Sequence, residues 1–311
     1  MATFINPFTD FGFKRIFGQE EHKSILIGFL NALFTGELVV KDLVYRDKEQ
    51  TGECAQNRTV IYDIYCTLDD GSHVIVEMQN KKEAHFDARA LYYASRSIVA
   101  QGQKGDDWDY EYAPVIGVYF LNFLQDGLGR AFRSDFGITK TKEVFAHTAT
   151  ESDKPNAKPL EIVKELPFAK KLRMVFLQMP EFTKKESECT TDLDKWAFIM
   201  NHMEKLTNIP WAAQDELYNE LSKVSNVAAL SPQERAIYDE TLRQYRDNLA
   251  TIKTAYDDGW KEGKEEGKEE GREEGREEIA RSLLSANLPD EFVSQHTGLS
   301  IEKIKKMRIE K

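Results

Sequence analysis

The chain is poor in cysteine. The three present, Cys54, Cys66 and Cys189, are odd in number and lack metal-ligand spacing. This argues against a disulfide scaffold or a thiolate zinc site, and fits a reducing, cytoplasmic setting with the cysteines as small hydrophobes. There is no run of about 18 apolar residues, so neither a transmembrane helix nor a membrane partner is expected. The opening residues, Met1 to Pro7, lack the basic-then-apolar order of a signal peptide. The six histidines show no ligand pairing, no Ser/His/Asp order stands out, and there is no Walker loop. Cationic excess is also missing. Lys and Arg number 42 against 53 Asp and Glu, a net charge of −11. That speaks against a generic cationic nucleic-acid binder but leaves room for a local basic cleft.

The acidity is concentrated. Residues 257–278 carry 11 acidic and five basic side chains, whereas residues 279–311 carry four acidic and six basic. The acidic stretch is a strict four-residue repeat with glycine at 259, 263, 267, 271 and 275. A helix turns about 100° per residue, so these glycines spiral around it and form no straight seam. The reading is a solvated helix, polar all round, acting either as a spacer or as a self-association element.

Periodicity organises the rest. Glu20 to Phe34 has apolar residues at helical spacing, stopped by Gly36. Residues 38–45 read as a strand, 46–58 as a polar loop, and 59–68 as a strand rich in β-branched and aromatic residues. Asp69-Asp70-Gly71 is a turn signal and 73–79 the return strand. A helix is expected from Phe86 to Gln101, a fully buried strand from Pro114 to Phe123, and another strand at 172–179. Helices follow at about 192–206, 211–225 and 232–256. The tail reads as short helices around a Gly298-Leu299-Ser300 turn, resembling a minimal helix-turn-helix unit that either docks on the main domain or contacts DNA.

Asp63 and Glu77 are the sharpest feature, because each interrupts an apolar strand. With Asp69-Asp70-Gly71 as the loop, hairpin partners have position numbers that sum to about 140. The two carboxylates then lie opposite each other, Cβ atoms roughly 5 Å apart. Gln79 shares the face of Glu77. Two such carboxylates repel and resist burial. Either they face solvent at an edge, or a divalent cation neutralises them, and oxygen donors suit Mg2+, Mn2+ or Ca2+.

An α-β-β-β-α-β order with Tyr62-Asp63 on one hairpin strand and Glu77-Met78-Gln79 on the next resembles the PD-(D/E)XK nuclease superfamily. More closely, the chain resembles the recombination-promoting nuclease (Rpn) family, also called PD-(D/E)XK nuclease family transposases. The likeness rests on Asp10 to Gly18, Phe29 to Leu33, Val76 to Asn80, Arg89 to Tyr93 and Glu188 to Trp196. It implies an α/β restriction-endonuclease-like core with a helical C-terminal region. It also implies a Mg2+-dependent DNA endonuclease that promotes recombination or acts on mobile or foreign DNA. The alternative is a catalytically weak nuclease-fold module that binds DNA or a protein partner.

Carried over, Asp63 and Glu77 are metal ligands, with the Met78 carbonyl as a third. Gln79 fills the slot of the superfamily lysine. Lys14 is the candidate for the missing cation, with Lys81 behind it. Asp10 shares a helical face with Lys14, either at the rim of the site or as a surface ion pair. Arg89, Tyr93 and Arg96 form a helical stripe that either contacts DNA phosphates or divides into a packed tyrosine and solvated arginines. The expected division is a nuclease-like domain at 1–206, a helical extension at 207–256, the charged repeat at 257–278 and a short helical tail at 279–311. Self-association through the C-terminal helices is the one oligomeric option.

Overall fold

The computed structural model describes residues 2–50, 60–103, 105, 108–138 and 167–309. Cys54, His147 and most of the polar stretch expected as a loop at 46–58 lie outside the described residues. Two compact units are present, Met1–Tyr245 and Arg246–Lys311.

The first unit is built on a six-stranded mixed sheet. Its strands are β1 (Leu43–Tyr45), β4 (Ile64–Leu68), β5 (His73–Gln79), β6 (Val115–Leu121), β7 (Arg133–Gly137) and β8 (Leu172–Gln178), in the order β1-β4-β5-β6-β8-β7. β2 (Glu49–Gln50) and β3 (Val60–Ile61) form a separate two-stranded ladder. β5, β6 and β8 run parallel at the centre. All seven residues of β6 are buried, as its unbroken apolar sequence requires.

Side-chain alternation divides the sheet's two faces. Val74, Val76, Val118 and Phe120 join the larger core with α1 (Asp10–Phe17), α2 (Lys23–Leu33), α4 (Asp192–His202) and α5 (Glu216–Val224). Its centre is aromatic. Phe120 lies 5.0 Å from Phe29 and 5.9 Å from Phe17 by ring centroid, and Trp196 lies 5.9 Å from both Phe17 and Phe29. On the opposite face, Ile75 and Tyr119 belong to smaller clusters beneath α3 (Phe86–Val99). The result is a three-layer PD-(D/E)XK nuclease-like fold followed by C-terminal helices.

Several elements depart from the sequence reading. The strand expected at 38–45 forms only at Leu43–Tyr45; Val40 and Leu43 are buried while Val39 and Val44 are exposed, so the buried positions do not keep the two-residue period of one strand. The strand expected at 59–68 is split, with Tyr62 and Asp63 between β3 and β4. The antiparallel strand β7 was not anticipated. Its sequence, Arg-Ser-Asp-Phe-Gly, carries no apolar alternation, and it is fastened by ion pairs from Arg133 and Arg173 to Asp135. The helices expected at 211–225 and 192–206 are shorter, at Glu216–Val224 and Asp192–His202, the latter continuing as a 3-10 turn. Tyr218, Leu221, Val224 and Tyr238 share the main core with Trp196, so residues beyond 206 pack within the α/β unit.

The largest difference is α6 (Pro232–Ser285), a single helix of 54 residues running through the repeat. A Cβ at Gly259, Gly263, Gly267, Gly271 or Gly275 would meet nothing within 4 Å. Among the described residues, the glycines therefore serve no close packing. Within the second unit, the end of α6 packs with α7 (Asp290–Thr297) and α8 (Ile301–Ile309) around Ala280, Leu284, Val293, Leu299 and Ile304. Gly298, at φ +71°, ends α7 in the left-handed conformation that glycine adopts without a Cβ clash.

Because those glycines are open to solvent, replacing Gly263, Gly267 and Gly271 together with alanine should stabilise the helix, by up to about 1 kcal/mol per site. A rise in far-UV helical signal and a later melt of the helical phase are expected. An unchanged or lower melting temperature would show that the glycines make a contact their surroundings conceal.

Candidate active site

The hairpin β4–β5 has the expected register. Ile64 pairs with Val76 and Tyr65 with Ile75, so Asp63 falls opposite Glu77 just beyond the ladder. The turn that sets this register has Gly71 at φ +87° and the Ser72 N–H donating to Asp70 Oδ1. The two acids are tied to each other's backbone. The Asp63 N–H donates to Glu77 Oε1 at 3.1 Å, and the Met78 N–H donates to Asp63 Oδ2 at 3.0 Å. Glu77 is only 5% exposed.

Burial dominates the electrostatics. It pushes the Glu77 carboxyl up to about 8, and the charge of Asp63 pushes the same way. Asp63 is raised too, mainly by burial, against the Met78 N–H and the field of Lys14. Close to neutral pH the pair therefore keeps a proton unless a cation takes its place.

Among the described residues, Lys14, Arg89 and Lys48 act on the pair. Lys14 lies on α1, held 2.6 Å from Asp10 in an i,i+4 ion pair, and its charge favours ionisation of both Asp63 and Glu77. The position of α1 follows from the segment before it. Thr9 caps the helix by accepting the Gly12 N–H, and the Phe8 carbonyl accepts from Asn80 Nδ2 at the end of β5. Gly12 is required there, because a Cβ would lie 2.1 Å from the Asn6 carbonyl oxygen. Arg89, on α3, donates to Gln79 Oε1 at 2.8 Å, pairs with Glu83, and favours ionised Glu77.

The third cation, Lys48, was missed from sequence. Its carbonyl accepts the Tyr62 N–H at 2.9 Å, which places its backbone beside the residue preceding Asp63. Burial and then Lys14 lower its pKa, while Asp63 and Asp10 raise it. It lies in a polar segment without periodicity, so only the ladder to Tyr62 reveals it.

The other expected residues are placed as follows. Tyr93 packs edge-on against Tyr62 at 5.8 Å, and its carbonyl accepts from the Tyr62 hydroxyl. Arg96 is partly buried nearby, its charge acting on Tyr62. Lys81 is exposed.

The family model for PD-(D/E)XK nuclease family transposases matches residues 7–255. The chain belongs to this family. No curated protein and no solved structure matches it significantly. Membership supports a nuclease-like function, and the matched region contains every residue of the site described above.

Among the described residues, no group of three or more His, Cys, Asp or Glu gathers as a metal cage. The donors present are the partly buried carboxylate of Asp63, just ahead of β4, and the buried carboxyl of Glu77 on β5, both pushed up by burial. This is a hard-oxygen set that leaves positions for waters and phosphate oxygens, as Mg2+ prefers. The residues fit such an ion.

A carboxyl raised in the folded state contributes stability at low pH that is lost as pH rises from its ordinary 4.5 through about 8. Glu77→Gln should therefore stabilise the metal-free protein at pH 8.5 by roughly 2–4 kcal/mol and change little at pH 5. Thermal melts in EDTA at both pH values check this. An equal gain at the two would show that Glu77 does not titrate as described.

Proposed function

We propose that the protein is a divalent-metal-dependent DNA endonuclease acting at the Asp63–Glu77 pair. What carries the reading is a buried Glu77 beside a partly buried Asp63, the two carboxylates cross-linked through backbone N–H groups and resisting joint ionisation, inside a family of nuclease fold. Asp63 and Glu77, with the Met78 carbonyl, hold the cation; Mg2+ is the expected ion, with Mn2+ or Ca2+ as substitutes. When bound, the cation neutralises the carboxylates and polarises the scissile phosphoryl group.

The remaining roles belong to the chain. Gln79 has its side-chain carbonyl held by Arg89, which leaves its amide N–H groups to orient water or a phosphate oxygen. Lys14 and Lys48 stabilise negative charge that develops on the phosphate, and Asp10 positions Lys14. Arg89 and Arg96 on α3 contribute phosphate contacts, while Tyr93 supports that helix through Tyr62. DNA is the substrate, the setting cytoplasmic, and the biological role recombination or action on mobile or foreign DNA. Residues 1–206 supply the chemistry, 207–256 a helical extension, 257–278 a spacer and 279–311 a helical tail.

Plasmid nicking in Mg2+, Mn2+ or Ca2+ tests the assignment. Asp63→Ala and Glu77→Ala should each abolish metal-dependent nicking. Lys48→Met and Lys14→Met should each lower the single-turnover rate by on the order of 10²-fold. Nicking that survives both carboxylate substitutions would remove the site. A folded wild-type chain that nicks with none of these metals would favour the binding-module alternative.

Deleting residues 259–278 should leave the nicking rate within about threefold, since the glycine repeat contributes no side chain to the site. Total loss of cleavage by a folded deletion variant would contradict the spacer role.

A further inference from the structure

At the opposite end of β5 lies a second polar site that the nuclease chemistry does not use. A cavity of about 370 Å3 has buried Tyr65 and His73 as its floor. Gln101 and Ala100 close one side from the end of α3. Arg46, Asp47 and Glu49, all exposed, form the rim on the segment from β1 to β2. The volume falls in the range of small-molecule pockets, about 300–1,000 Å3.

The floor is a hydrogen-bonded group. The Tyr65 hydroxyl lies 2.8 Å from His73 Nδ1 and 3.0 Å from the Ser97 hydroxyl. Among the described residues, this leaves His73 Nε2 as the ring nitrogen without a hydrogen-bond partner. Burial, reinforced by Arg46, pulls the His73 pKa down to about 4, so the ring is neutral at physiological pH.

We propose that this cavity receives a nucleobase, turned out of the strand that crosses the Asp63–Glu77 pair. The identity of that strand rests on the nuclease reading; the base-binding character of the cavity does not.

Three observations carry the assignment. A neutral floor with polar atoms and aromatic rings suits an uncharged heteroaromatic ring better than an ion, which would lose its hydration there. The rim offers the complement of a base edge: the carboxylates of Asp47 and Glu49 accept from ring N–H and exocyclic amino groups, and Arg46 donates to ring nitrogens and carbonyls.

The cavity is also joined to the cleavage site by one stretch of chain. The Arg46 N–H donates to the Tyr65 carbonyl, and the Lys48 carbonyl accepts from the Tyr62 N–H, so Arg46 to Lys48 runs alongside Tyr65 to Tyr62. A cation stands at each end of that stretch. His73 and Glu77 share a face of β5 four residues apart, about 13 Å. That is about four base steps of a B-form strand, and fewer steps of an extended one. An enzyme that extrudes a base needs a pocket within such reach of the reacting phosphate.

The test uses the full chain in EDTA, where no metal supports cleavage. The four nucleoside 5′-monophosphates are titrated against protein carrying 15N-labelled histidine, and the His73 ring signals are followed. At least one nucleotide should shift them saturably, and ribose 5-phosphate should not. Ala100→Trp, which fills the cavity from an exposed position, should abolish the shift. Arg46→Ala should weaken binding by about tenfold. Also in EDTA, DNA with 2-aminopurine placed stepwise along it should brighten at one position, and Ala100→Trp should remove that signal.

Absence of a His73 shift with every nucleotide, an equal response to ribose 5-phosphate, or full binding by Ala100→Trp would each overturn the proposal. If Ala100→Trp fails to fold, Arg46→Ala decides: undiminished nucleotide binding overturns it. Base binding in EDTA alongside failure of the nicking assay would refute the nuclease reading alone.

Discussion

Everything at this end of the sheet depends on keeping Asp63 and Glu77 together. Two carboxylates at adjacent strand positions and largely out of water are an unfavourable arrangement, and only a scaffold fixed by other forces can impose it. Here that scaffold is the buried centre of the sheet. β5 is antiparallel to β4 as far as Val76 and parallel to β6 along all seven of its residues, so the backbone that carries Glu77 is fixed by that longer ladder. Asp63 is held from the other direction, since its carboxylate accepts the Met78 N–H while its own N–H serves Glu77. The aromatic packing of Phe17, Phe29, Phe120 and Trp196 on the far face supplies hydrophobic stabilisation against which this local cost is set.

How far this was legible in the sequence follows from which forces act locally. The hairpin register could be read because a tight turn and the two-residue period leave only one pairing that keeps both apolar faces buried. The central strands could be read because burial on both faces demands an unbroken apolar run. β7 could not, since its pairing is held by Arg133, Arg173 and Asp135, residues that elsewhere would mark a solvated loop. Lys48 stayed hidden for a related reason. Its approach to the site depends on a ladder of two residues per strand, too short to leave any periodicity. The repeat was read as a helix of its own after one at 232–256, whereas α6 runs through both without a break. Glutamate, lysine and arginine between the glycines are good helix formers, and a helix already nucleated at Pro232 adds residues without paying for nucleation again.

The net charge describes this chain poorly at the scale where DNA would meet it. The acidic repeat belongs to α6, whereas Lys14, Lys48 and Arg89 converge electrostatically on Asp63 and Glu77. Buried charges act through a lower effective dielectric than exposed ones and are less screened by salt. Cations acting on a partly buried pair therefore set the local potential more strongly, charge for charge, than solvated glutamates do.

In the proposed site, Gln79 stands where the superfamily pattern has a lysine. A lysine in that slot would bring a positive charge on its own flexible stem. Glutamine brings none, but its side-chain oxygen accepts from Arg89, whose guanidinium is also fixed by Glu83 and lies over the Phe86 ring at 5.3 Å. The charge then comes from the neighbouring helix and is held by a planar group with several donors. The amide end of Gln79 is oriented by the same bond, since fixing its oxygen fixes the direction of its N–H groups. One interaction thus supplies both charge and aim. It also makes α3 part of the proposed chemistry rather than only a cover for the sheet, and α3 is the same helix whose far end closes the cavity beside His73.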